Sequence, residues 1–121
     1  MKLENFKTPC FIIDEHALEE NVQLFQKALN KNFKKGLIGY SYKTNSLPYI
    51  IKKMKAMGCY AEVVSDTEYE LALAIGYDKE HIIFNGPIKG ERCFKDAITS
   101  GSIVNIDSNR ELRWLEECSK S

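Results

Sequence analysis

The chain has 121 residues, enough for one domain with a modest core. Lysine plus arginine and aspartate plus glutamate number 17 each, a balance that gives no electrostatic basis for nucleic acid or an anionic membrane surface as a partner. No apolar run is long enough to span a bilayer, and four scattered cysteines with two histidines offer no zinc-ligand spacing.

Residues 1–13 read as an N-terminal strand segment, its apolar part running from Thr8-Pro9 to Ile12-Ile13. Asp14 is placed to N-cap a helix in which Leu18, Val22, Phe25 and Leu29 make one amphipathic stripe. Asn30 to Lys35 is a polar, basic link. Residues 37–43 then read as a strand, since Leu37, Ile38, Tyr40 and Tyr42 are strand formers. The spacing predicts a helix behind it, capped by Asn45 or Ser46 with Pro48 in its first turn. That helix turns Ile50, Ile51, Met54 and Met57 inward and stops at Gly58.

Cys59 to Val64 is the next strand, interrupted by Glu62, and it runs into the capping-box pattern Ser65-Asp66-Thr67-Glu68. A helix with Tyr69, Leu71, Ala72, Leu73 and Ile75 ends at Gly76. His81 to Phe84 is a strand, and Gly90 to Ser100 a helix with Phe94, Ala97 and Ile98 inward. Ser102 to Ile106 is the last strand, followed by a second capping box at Ser108-Asn109-Arg110-Glu111 and a helix burying Leu112 and Leu115. Lys43, Ser65, Gly86 and Asp107 mark strand ends 22, 21 and 21 residues apart. Helical linkers of that length imply right-handed crossovers and a parallel sheet, either doubly wound or half of an eight-unit barrel.

Either architecture gathers the C-terminal strand ends on one edge, so Lys43, Glu62, Asn85 and Asp107 are expected there. A partly desolvated lysine amine can lose its proton and attack a carbonyl, and a neighbouring carboxylate such as Glu62 suits imine chemistry. The plainer alternatives are a surface lysine in a lysine-rich chain, a solvated Glu62, and Asp107 as a cap or turn residue. His81 opens a strand at the opposite edge and His16 lies in a helix's first turn, so neither is given a catalytic role. Gly36-x-x-Gly39 precedes its strand end and is wrongly placed for a phosphate loop.

Tyr40-Ser41-Tyr42-Lys43-Thr44-Asn45 resembles the Tyr-Ala-x-Lys-Ala-Asn motif of pyridoxal-phosphate-dependent decarboxylases with the alanine-racemase-like barrel. That group includes the diaminopimelate, ornithine and arginine decarboxylases. Thr8 to Asp14 resembles their opening Thr-Pro-x-Tyr-Val-Tyr-Asp. Gly58 to Ser65 is similar to their Gly-x-x-x-Asp-Val-Val-Ser, with Glu68 and Leu71 also in place. Ile82 to Lys89 and Val104 to Ser108 resemble their third-strand loop and fourth strand. The likeness covers nearly the whole chain in the family's order.

The resemblance implies the first half of a (β/α)8 barrel over residues 14–121, with residues 1–13 pairing with a C-terminal β-domain. It implies Lys43 as the Schiff-base lysine for pyridoxal 5'-phosphate, and cofactor contacts from Glu62 and Asn85. Glu62 stands where the family often has an aspartate, so its reach differs. The implied activity is decarboxylation of a basic or diamino amino acid by a cytoplasmic homo-oligomer, without nucleic-acid or membrane partners. The ring-stacking histidine, glycine-rich phosphate loop and acid facing the pyridine nitrogen belong to later parts of the family pattern. The chain is accordingly expected to be an N-terminal part, inactive by itself. A racemase-type or cofactor-carrier relative of the same barrel, and a non-catalytic α/β interaction module, are the alternatives.

Overall fold

A computed structural model describes residues 6–120. They form two compact units, one ending at Gly36 and one beginning at Leu37.

The first unit carries helix α1 (Glu15–Asn32). As its sequence predicts, the Asp14 carboxylate accepts from the Ala17 amide at 3.0 Å and caps the first turn. Leu18, Val22 and Leu29 are half-buried along the expected stripe, whereas Phe25 remains exposed. Residues 8–13, expected to pair with a C-terminal β-domain, have no ladder partner among the described residues, and Phe11, Ile12 and Ile13 are exposed. A strand exists only through its neighbour's hydrogen bonds, and apolar sequence alone does not supply one.

The second unit is a four-stranded parallel sheet in the order β1 (Gly39–Ser41), β2 (Tyr60–Val63), β3 (Ile82–Phe84), β4 (Ile103–Val104). Helices α2 (Pro48–Ala56), α3 (Asp66–Ile75) and α4 (Glu91–Thr99) make the crossovers, and α5 (Asn109–Ser119) follows β4. Register fixes the two faces. Tyr40, Ala61 and Ile82 lie at one level, and Ser41, Glu62, Ile83 and Ile103 at the next. Ala61, Val63, Ile82 and Phe84 are fully buried, while Glu62 and Ile83 between them are only half-buried and Ile103 is exposed. One face is therefore packed under helices and the other is open. Strands in sequential order with cover on one face give the winding of a barrel; a doubly wound sheet would reverse its order and cover both faces.

The core forms where the helices meet the packed face. The Tyr69 ring of α3 stacks on Phe84 at 5.2 Å, and Ile51, Ala72, Cys93 and Ala97 close around it. Burying a side chain such as Phe84 or Ile82 stabilises the fold by about 2–3 kcal/mol.

Local chemistry sets the helix starts, with several departures from the sequence pattern. Helix α2 begins one residue later than its polar residues suggest, with Leu47 as N-cap and Pro48 at N1. The Asn45 side chain instead accepts from the Leu47 amide at 3.1 Å, turning the chain before the helix. In both capping boxes the serine accepts from the glutamate's amide, but the glutamate reaches one residue further back than expected. Glu68 accepts from Val64 at 2.8 Å and Glu111 from Asp107 at 2.7 Å. Helix α5 also turns a different face inward. Leu112 is 47% exposed and Glu111 is fully buried, so the covered stripe is Glu111, Trp114, Leu115 and Cys118. A buried cation, described below, draws Glu111 inward.

Gly86 joins β3 to the loop before α4 at φ +94°, and a Cβ there would lie 2.4 Å from the Val64 carbonyl oxygen. We expect Gly86→Ala to cost ~3 kcal/mol, from the left-handed backbone and the overlap together, read as a lowered denaturant midpoint. An unchanged midpoint would contradict this geometry. The outer edges of β1 and β4 and the open apolar positions Ile83 and Ile103 lead to a second expectation. The isolated 121-residue chain should self-associate at micromolar concentration in size-exclusion chromatography with light scattering. A compact monomer with one cooperative unfolding transition would contradict it.

Candidate active site

The open face of the sheet carries the candidate chemistry, and the two-residue alternation of the strands decides which side chains stand on it. The ladder continues one step past the assigned strands: the amides of Tyr42, Asn85 and Asn105 donate to the carbonyls of Glu62, Val63 and Phe84 at 2.8–3.1 Å. Extending the register brings Val64, Asn85 and Asn105 to one level at the C-terminal edge, two residues past Glu62, Ile83 and Ile103, and Lys43 leaves β1 at that same edge. Tyr42, between Ser41 and Lys43, is buried under the helices. Lys43 follows in the turn that leaves the strand end, and it is exposed.

A short turn holds Lys43 at the strand end. The Ser41 carbonyl accepts from the Thr44 amide at 3.3 Å and from its hydroxyl at 2.7 Å. The Tyr40 hydroxyl donates to the Asn45 carbonyl at 3.0 Å, tying strand to turn from the other side. Among the described residues no ion pair engages the Lys43 amine.

Glu62 and Asn85 come together as a hydrogen-bonded pair, the Asn85 amide nitrogen donating to a Glu62 carboxylate oxygen at 3.1 Å. The Asn85 carbonyl oxygen accepts from the Gly86 amide at 2.8 Å and from the Asn105 side chain at 2.9 Å. The result is a polar chain across three strands, Asn105 to Asn85 to Glu62. These contacts fix which way round the Asn85 amide lies, with its donor end on the carboxylate.

Asn105 is the member that sequence reasoning missed. Strand ends read at Ser65, Gly86 and Asp107 fall one or two residues past the aligned level, and counting at Val64, Asn85 and Asn105 would have found it. Asp107 stands at the expected edge, but its carboxylate is committed to Lys89 at 2.9 Å, and Ser108 caps the following helix in its place. His81 lies at the opposite end of β3, edge-on to the Tyr60 ring at 4.9 Å, and His16 is exposed beside Glu20. Burial pushes the thiols of Cys59 and Cys93 up from their ordinary range, so neither is a poised nucleophile. Among the described residues, no cluster of histidine, cysteine and carboxylate could hold a metal, and no helix is long and apolar enough to cross a membrane.

An exposed primary amine at the same sheet edge as a carboxylate linked to two side-chain amides fits an aldehyde-bearing cofactor, which needs one amine to hold it and polar groups to orient its ring. Comparison with known proteins agrees. Residues 16–121 match the family model described as pyridoxal-dependent decarboxylase, pyridoxal binding domain. The diaminopimelate decarboxylase of Aquifex aeolicus is 31% identical over 94% of this chain and 26% of its own length. The solved diaminopimelate decarboxylase of M. jannaschii superposes with a TM-score of 0.82 at 29% identity, over 97% of this chain and 28% of its own. That of Helicobacter pylori complexed with L-lysine gives 0.79 at 27% identity, over 97% and 29%. The chain thus spans about a quarter of the length of the relatives it matches. With its sheet wound as a barrel and its lysine on the open edge, this chain belongs to the pyridoxal-dependent decarboxylase family, within the pyridoxal-binding domain.

Proposed function

We propose that the protein decarboxylates a diamino or basic amino acid, diaminopimelate being the leading candidate, with Lys43 as the lysine that holds pyridoxal phosphate. The observation that carries this reading is the Lys43 amine, exposed and free of ion pairs among the described residues, at the C-terminal sheet edge where Glu62, Asn85 and Asn105 are linked. Bound there, pyridoxal phosphate supplies an electron sink for the charge left when a carboxylate departs. The chain's own residues orient and hold charge. The Lys43 turn fixes where the amine stands, and Glu62 presents a negative charge that favours a protonated nitrogen beside it. Asn85 and Asn105 keep that carboxylate aimed along the sheet edge instead of toward solvent.

The substrate class rests on the relatives, several of which are diaminopimelate decarboxylases, one of them solved with L-lysine bound. A reducing, cytoplasmic setting is supported by four free cysteines, two of them buried and unpaired. A homo-oligomer is part of the same reading, carried by the family resemblance.

In the full-length protein, Lys43→Ala should abolish the near-visible absorbance of lysine-bound pyridoxal phosphate and lower decarboxylation by at least ~10³-fold. Retained absorbance would mean that another lysine carries the cofactor. The isolated 121-residue chain should bind pyridoxal phosphate weakly, since no glycine-rich phosphate loop lies in its sequence, and should release no useful carbon dioxide. Robust release by the purified chain would overturn that expectation.

A further inference from the structure

Lys89 is 2% exposed, and its side chain is fully enclosed. Three oxygens surround its ammonium: the Gly86 carbonyl at 2.5 Å, Asp107 at 2.9 Å and Glu111 at 3.4 Å. The second oxygen of Glu111 accepts from the Asp107 amide at 2.7 Å, so a carboxylate with no exposure uses both oxygens within the same cluster. The far end of the loop is held too, the Gly90 amide donating to Asp66 at 2.9 Å.

An ion pair buried this deeply adds little stability over apolar side chains of the same volume, because desolvation offsets most of the attraction. Geometry is what such a cluster can supply. Lys89 and Gly86 belong to the loop after β3, and Asp107 and Glu111 to the loop and helix after β4. The ammonium therefore ties two strand ends together. Asn85 directly precedes the clamped Gly86 carbonyl, and Asn105 lies two residues before the clamped Asp107. Their side chains meet at 2.9 Å, and Asn85 passes the contact to Glu62.

We infer that Lys89 is a positioning residue, whose buried ammonium fixes the β3 and β4 ends so that Asn105 and Asn85 hold the Glu62 carboxylate in place beside the cofactor lysine. The last part rests on the Lys43 reading, and the hydrogen-bonded clamp does not.

The test uses the full-length protein and two independent readouts. One is hydrogen exchange of segments 85–89 and 105–108 in cofactor-free protein. The other is the dissociation constant of pyridoxal phosphate with the pH midpoint of its lysine-bound absorbance. Lys89→Met combined with Glu111→Gln removes the buried charges while leaving an acceptor for the Asp107 amide. This variant should melt cooperatively, exchange both segments about tenfold faster, and bind pyridoxal phosphate about tenfold more weakly with a shifted midpoint. Asn105→Ala should weaken binding in the parent and add little in this variant, since both act through one chain of contacts. Asp107→Asn, milder and half-exposed, should move exchange and midpoint in the same direction and decides the matter if the double variant does not fold. Parent-like exchange in either folded variant overturns the clamp. Faster exchange with parent-like binding and midpoint overturns its role at the site. Absence of lysine-linked absorbance in the parent, with faster exchange in the variants, overturns the Lys43 reading and leaves the clamp standing.

Discussion

Everything at the candidate site depends on the two-residue alternation of a parallel sheet buried on one face. Ala61, Val63, Ile82 and Phe84 must point to the helices, because nothing else removes them from water. Their neighbours in the chain must then point the other way. Glu62 stands on the open face because it lies between Ala61 and Val63, and Lys43 is exposed in the turn that follows the buried Tyr42. The positions of the polar residues follow from the apolar ones. A one-residue slip of β2 would put Glu62 among the core side chains and Val63 at the site.

A second constraint comes from the loops that leave the strands. Each helix has orphan amides in its first turn. In α3 and α5 a glutamate three residues into the pattern reaches back past the capping serine to the residue before it. That longer reach draws the strand end down onto the helix it feeds. At α5 the same glutamate also faces Lys89, so capping and clamping share one carboxylate. Position 111 is thus buried as a charge, and Leu112 is left in solvent.

Much of this was legible in the sequence. The four strands, their spacing and the helices between them follow from apolar periodicity and capping residues, and the parallel order follows from crossover length. Lys43, Glu62 and Asn85 were legible because a parallel sheet gathers its strand ends on one edge. Lys89 and Glu111 were not. They lie 22 residues apart, and each alone has the pattern of a solvated surface charge; only the fold shows that they enclose each other. Leu112 was misjudged for the same reason, since a hydrophobic stripe predicts the buried face only when no charge has a partner inside. Residues 8–13 are a different case: an apolar run is necessary for a ladder, and the partner expected for it is a C-terminal β-domain rather than any of the described strands. Asn105 was in reach, and was missed because the repeat was counted at turn residues instead of at aligned backbone positions.

The sequential strand order also bears on how the sheet can be made. Each strand pairs with the one translated about twenty residues before it, so every new ladder closes a loop of the same modest length. Pairing of that kind keeps sequence separation low for a parallel sheet and permits assembly in the order of synthesis. The open face is then built from one side. Lys43 would leave the ribosome first and stand at a bare edge, acquiring Glu62, then Asn85, then Asn105 as successive units dock. The contact between Asn85 and Asn105 can form only after β4 has arrived, so the polar chain is completed by the last strand of the four and not by the one that carries the lysine.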